Sequence, residues 1–217
     1  MNAPTVPRFT PLERAYHWSY AAAFIVLAVT GFVLLVPWTA FSAGEAGQAN
    51  RLLHRIFGVV LMVAPLLMLI FARRGFIEDL REAHTWRRED WTSLSVLLRR
   101  SYWTGDKTGL PPQGKFMAGQ KLNIVFQAVC FGALAASGLV MWLGKGTVPH
   151  EIMRFMILIH TLSAIGATCF AIVHVYMVTT MPFTRGAIAT MFTGRMDEGL
   201  ARSHHPKWHA RITGGKP

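Results

Sequence analysis

Residues 155–181, FMILIHTLSAIGATCFAIVHVYMVTTM, decide how the rest of the chain is read. The stretch holds no Asp, Glu, Lys or Arg, and it is long enough to cross a bilayer, which takes about 20 apolar residues at ~1.5 Å each. It nevertheless carries His160 and His174, and an imidazole at membrane depth is costly unless it has a task. Fourteen residues separate the two. At ~100° per residue the second ring returns to within about 40° of the first, about 21 Å along the axis. Two ligand-capable side chains therefore leave one helix face, one near each membrane surface. A helix built to hold two haems stacked across a membrane needs this arrangement, each iron taking its other axial ligand from elsewhere. One such histidine alone would be read as bonded to a backbone carbonyl; two on one face favour ligation.

Composition agrees with a membrane location. The chain has 217 residues, 52% of them hydrophobic, and a positive mean hydropathy, which is too apolar for an ordinary soluble domain. The formal charge of +11 would suit nucleic acid, but the basic residues flank apolar spans and line no single face, so membrane topology accounts for them. Cys130 and Cys169 both lie in apolar runs. They make neither a disulfide framework nor the C-x-x-C-H of covalent haem attachment, so ligation and packing must hold any haem. Residues 1–17 lack the apolar core and cleavage site of a secretory signal.

Working outward from that stretch, three further apolar segments appear, at about 18–36, 54–72 and 122–143, giving an all-α, integral membrane four-helix bundle over residues 1–217. Residues 1–10 are Pro-rich and read as loose, and Pro11 opens the first helix. Residues 37–53, rich in Gly and Ala, read as a long connection, and Pro65 is expected to kink the second span. The polar segment 73–120 mixes charge with Trp86, Trp91, Leu94, Leu97 and Leu98, which predicts one or two short surface helices. Gly132 and Gly138 suit close helix contact in the third span. The tail 183–217 is basic and polar. Of the 22 Lys and Arg, two lie before the first span, ten in 73–121 and six in 185–216, against four in the connections on the other side (Arg51, Arg55, Lys145, Arg154). The positive-inside rule then puts both termini, residues 73–120 and the tail in the cytoplasm.

Depth sorts the ligands. His17 stands at the cytoplasmic mouth of the first span and His54 at the outer mouth of the second. Only the pairing of His17 with His174 and His54 with His160 keeps both ligands of each iron at one level. Arg14 and Arg51 precede candidate ligands by one helical turn and Arg55 follows His54; guanidinium forks suit haem propionates. Gly31, fourteen residues after His17, and Gly58, one turn beyond His54, would let a porphyrin lie against the helix. His84, His150, His204, His205 and His209 fall in polar segments and read as surface residues without a zinc site.

These motifs resemble the gamma subunit, a dihaem cytochrome b, of membrane-bound respiratory formate dehydrogenases. The resemblance covers about residues 8–207. It rests on Glu13-Arg14-x-x-His17-Trp18, Leu53-His54-Arg55-x-Phe57-Gly58, Leu158-Ile159-His160, His174-x-Tyr176-Met177, Ala118-Gly119-Gln120-Lys121 and His204-His205-Pro206-Lys207-Trp208. It implies two b haems on His17, His54, His160 and His174, with no catalytic residue beyond electron transfer. It also implies a bacterial inner (cytoplasmic) membrane location, and partners comprising an iron–sulfur subunit and a large molybdenum or tungsten subunit. Assembly into an oligomer of such heterotrimers stays open. Quinone would be reduced near the inner haem, beside Met117, Ala118, Gly119, Gln120 and His174. The family has Asn where this chain has Met117, which has no amide donor or acceptor.

Two other readings remain at this point. An equivalent subunit could serve a hydrogenase, thiosulfate reductase or related enzyme, or the chain could be a passive membrane anchor. A transporter fits poorly, since no span carries a carboxylate.

Overall fold

The computed structural model describes residues 4–36, 40–99, 103, 104, 106, 108–182 and 184–215. Four long helices are apolar enough to cross a membrane: α1 (Pro11–Leu35), α2 (Gly44–Phe71), α5 (Ala118–Leu143) and α6 (His150–Thr179). Their outward residues are apolar too: Ile25, Phe32, Ile70, Val129 and Ile172 are all exposed. A surface of this kind is stable against lipid and not against water. Pro11 opens α1 where its missing amide is harmless, with Glu13 in the first turn against the helix dipole. The α6 helix is unbroken from His160 to His174.

The connection expected over 37–53 is mostly helix. From Gly44, at φ +61°, residues 44–53 form the first turns of α2. Glu45, Ala46, Gln48 and Ala49 are strong helix formers, and the acid favours the N-terminus. Arg51, His54 and Arg55 therefore share one helix. Pro65 lies inside α2, which runs on through it. Residues 37–39, with the breaker Pro37-Trp38, fall outside the described residues.

The chain forms two compact parts. One comprises Leu12–Phe76 and Phe131–Thr168. Within it Tyr20 meets Phe131 (ring centres 6.4 Å apart), Asn50 donates to the Thr30 carbonyl (3.1 Å) and Arg55 lies 5.6 Å over Trp142. Small buried residues such as Ala23, Thr30 and Ala167 let helices approach closely.

The other part comprises Met1–Pro11, Ile77–Cys130 and Cys169–Pro217. Two short helices appear in the long polar segment, α3 (Arg73–His84) and α4 (Arg88–Leu97). Asp90 closes the start of α4 by accepting from the Arg87 N–H at 2.9 Å. The tail is more ordered than its polar composition suggests, with α7 (Ile188–Thr193), β2 (Arg195–Asp197), α8 (Glu198–His204) and α9 (Pro206–Thr213). The Pro-rich residues expected to be loose are ordered at 5–7. Strand β1 (Thr5–Pro7) pairs antiparallel with β2, Val6 opposite Met196. Arg8 is buried beside it, donating to the Lys115 carbonyl (2.7 Å) and lying 5.3 Å over Trp208. Burial lowers the Arg8 pKa to about 10, against the opposing pull of Asp79 and Glu82.

Candidate haem-ligating site

The second and fourth long helices bring His54 and His160 together. Their ring centres lie 6.2 Å apart with planes inclined at 59°. Neither ring is left to turn freely. His54 Nδ1 is 2.8 Å from Thr30 Oγ1 on α1, and His160 Nδ1 is 3.0 Å from Ser137 Oγ on α5. Each hydroxyl already donates its proton to the carbonyl four residues back, Thr30 to Val26 at 2.7 Å and Ser137 to Ala133 at 2.6 Å. The oxygens can then only accept, so Nδ1 carries the hydrogen on both imidazoles. The Nε2 lone pairs are thereby released for a metal.

Two imidazoles from different helices, with ring centres 6.2 Å apart and each Nδ1 held by a hydroxyl, are a donor set of the kind that suits haem iron. Glycine sits beside both rings. A Cβ on Gly31 or on Gly138 would come within 3.3 Å of Cε1 of His54 or of His160. Gly31 thus backs onto the imidazole edge of His54, whereas a Cβ on Gly58 would meet nothing within 4 Å among the described residues. Arg51 donates to the Ser42 carbonyl at 3.2 Å, and Arg55 stacks over Trp142.

His17 is in the same compact part as these residues, edge-on to Trp18 with ring centres 5.1 Å apart, near Arg14 in the first turns of α1. His174 is on α6 in the other part.

Around the start of α5, Met117 and Ala118 are buried. The Met117 N–H donates to Gln120 Oε1 at 3.0 Å, so part of the Gln120 amide caps its own helix. The Ala118 N–H donates to Gln113 Oε1 at 3.1 Å, and a Cβ on Gly119 would touch Leu97 at 3.7 Å. Lys121 is 3.0 Å from Asp90, both nearly buried. A cavity of about 620 Å³ in this part is walled by charged and amide groups including Glu82, Asp90, Gln113, Lys121 and Arg211. Such a lining suits water better than a quinone ring, and residues 117–120 are not among its walls.

Two histidines read as surface residues are interior. His204 and His205 are buried, His205 to 2% exposure, with His205 Nδ1 2.8 Å from the Gly114 carbonyl. Burial first, and then the charge of Arg8, push the His205 pKa down to about 3, so this imidazole is neutral. The Lys207 N–H donates to the Gln113 carbonyl at 3.1 Å, and its ammonium meets Glu89 at 2.7 Å. The tail motif therefore braces the segment that leads into α5.

Sequence reasoning missed Thr30 and Ser137. A signal was present: a hydroxyl residue stands directly before glycine in both helices, Thr30-Gly31 and Ser137-Gly138. Only the contact with a histidine from another helix gives that pair a meaning.

Four helices long and apolar enough to cross a membrane, with two held imidazoles packed between them, are an arrangement suited to a helical membrane cytochrome. The comparison with known proteins makes this specific: residues 8–194 match the model of the prokaryotic cytochrome b561 family, and the chain belongs to that family. It is 25% identical to the nitrate-inducible formate dehydrogenase cytochrome b556(Fdn) subunit of Escherichia coli K12, over 93% of this chain and 88% of that one. It is 26% identical to the formate dehydrogenase cytochrome b556(fdo) subunit of the same strain, over 96% and 93%. The corresponding subunit of Haemophilus influenzae is 23% identical, over 96% and 84%.

Proposed function

We propose that this cytochrome b is the membrane subunit of a formate dehydrogenase, passing electrons from an iron–sulfur partner through two haem b groups to quinone. The observation that carries the reading is the His54/His160 pair, spaced at 6.2 Å with both Nδ1 atoms held by hydroxyls. The choice of formate dehydrogenase rests on similarity over most of both chains to subunits of that name. A bound haem would supply a one-electron iron couple. The protein's part is to hold it. His54 and His160 present Nε2 for the outer haem, and His17 and His174 are the ligands proposed for the inner one. Arg14, Arg51 and Arg55 offer guanidinium groups to propionates. Gly58 leaves the face of α2 open beside His54.

The chain lies in the bacterial inner membrane with both termini in the cytoplasm, so the His54/His160 pair faces the periplasmic donor. Electrons leave at the cytoplasmic level, where Gly119, Gln120 and His174 border the quinone. Quinone reduction there takes two electrons and two protons. With those protons drawn from the cytoplasm, turnover separates charge across the membrane. The deciding experiment is haem quantification and reduced-minus-oxidised difference spectroscopy on the purified complex. Two non-covalent b haems per chain are expected, falling to one in His54→Ala. A protein without haem, or with covalently attached haem, refutes the proposal.

A further inference from the structure

The geometry points to Thr30 and Ser137 as matched positioning residues that set the electron-donating strength and the ring angle of the His54/His160 pair; this rests on the haem reading above. Two independent helices supply the same device. In each, a hydroxyl committed to its own i−4 carbonyl accepts from a histidine Nδ1–H, at 2.8 Å for Thr30 and 3.0 Å for Ser137. In each, the next residue is a glycine whose missing side chain gives the ring its place, with Cε1 only 3.3 Å from where a Cβ would stand. Ordinary back-bonding of a buried Ser or Thr to the carbonyl four residues earlier explains the carbonyl bond. It explains neither the second bond to an imidazole nor its repetition on both sides of one site.

A hydrogen-bond acceptor on Nδ1–H does two things to a ligand. It fixes the tautomer and the ring plane, and it shifts electron density towards Nε2, making the imidazole a stronger donor. A stronger donor favours ferric over ferrous iron. Removing the hydroxyl acceptors should therefore raise the reduction potential of the haem on this pair alone, by less for Ser137 because His160 also bonds the Leu134 backbone carbonyl. Neutral hydroxyls are mild acceptors, so the effect sits at the lower end of what such outer hydrogen bonds deliver. We expect a change of about threefold to tenfold in the reduced-to-oxidised ratio at fixed potential per variant, up to ~59 mV for one electron. The 59° between the rings is the second observable, because the low-spin ferric EPR signal depends on the angle between the two imidazole planes.

The test is a redox titration and an EPR spectrum of the purified holo-complex carrying Thr30→Val or Ser137→Ala, with Thr30→Ser and Ser137→Thr as hydroxyl-retaining controls. The expected result is an upward shift of one haem's potential and an altered EPR signal for that haem in the first two variants. Both controls should behave as the parent. Outright loss of one haem in Thr30→Val with retention in Thr30→Ser supports the same role. Parental potentials and EPR signals in both Thr30→Val and Ser137→Ala overturn it, as does loss of haem in Thr30→Ser. Absence of haem from the parent protein would instead refute the proposed function, so the two failures are distinguishable.

Discussion

A methyl group placed at Gly31 or at Gly138 should have unequal consequences, although both positions face a histidine at the same distance. The new Cβ would stand 3.3 Å from Cε1 of His54 or His160, a few tenths of an ångström too close, so the ring must retreat by about 0.3 Å. For His54 that retreat stretches the bond to Thr30 from 2.8 Å to at most about 3.1 Å, still within good hydrogen-bond range. For His160 the bond to Ser137 starts at 3.0 Å and reaches about 3.3 Å, outside that range. The weakening there is worth at most one ordinary hydrogen bond, ~0.5–1.5 kcal/mol, or up to roughly twofold to tenfold in ligand-site affinity. Both alanines add helix propensity of ~1 kcal/mol, which raises thermal stability without restoring the ring. The expected outcome is therefore full haem content in Gly31→Ala and easier loss of one haem, by up to two- to tenfold, in Gly138→Ala. This is read by titrating a haem-scavenging apoprotein against each variant in detergent and following the absorbance. Leucine at either position has no such escape and should abolish one haem. Equal haem retention in the two alanine variants, or full haem content in Gly138→Leu, would refute the reasoning.

Further outcomes follow from topology and from the second compact part. A cysteine introduced in 144–154 should react with an impermeant thiol reagent in intact cells, whereas one at Thr108 should not; the opposite pattern would invert the inner and outer levels. Because the His205 pKa is held near 3, below its unfolded value of about 6.5, its neutral form contributes stability above pH 6.5 that is lost as pH falls towards 3. Protease sensitivity of the tail should rise over that window and flatten in His205→Gln; an unchanged profile would remove His205 as the cause. Gly119→Leu, which pushes against Leu97, should block quinone reduction while both haems stay reducible by the partner. Met117→Asn should tighten binding of a quinone-analogue inhibitor by about one hydrogen bond, ~0.5–1.5 kcal/mol. Quinone reduction surviving Gly119→Leu would move the site elsewhere.

The spans and the candidate ligands were legible in the chain because both depend on local periodicity. A run of apolar residues reports a membrane helix whatever surrounds it, and fourteen residues on one helix place His160 and His174 on one face by helical geometry alone. Local reading went wrong where composition and burial disagree. Residues 44–53 read as a connection but continue α2, and Pro-rich residues 5–7 form a strand only because Arg195, Met196 and Asp197 arrive from the far end of the chain. His204 and His205 look like surface residues until Gly114, 91 residues from His205, closes over the second of them. The same limit hid Thr30 and Ser137. A hydroxyl in an apolar helix satisfies itself on its own backbone, so its sequence carries no mark of a further partner. The partner is a histidine 24 residues away in one case and 23 in the other, on a different helix each time. Which nitrogen of each imidazole carries the hydrogen was decided by that packing, since only tertiary structure can bring an acceptor with no proton left to give to a specific ring nitrogen.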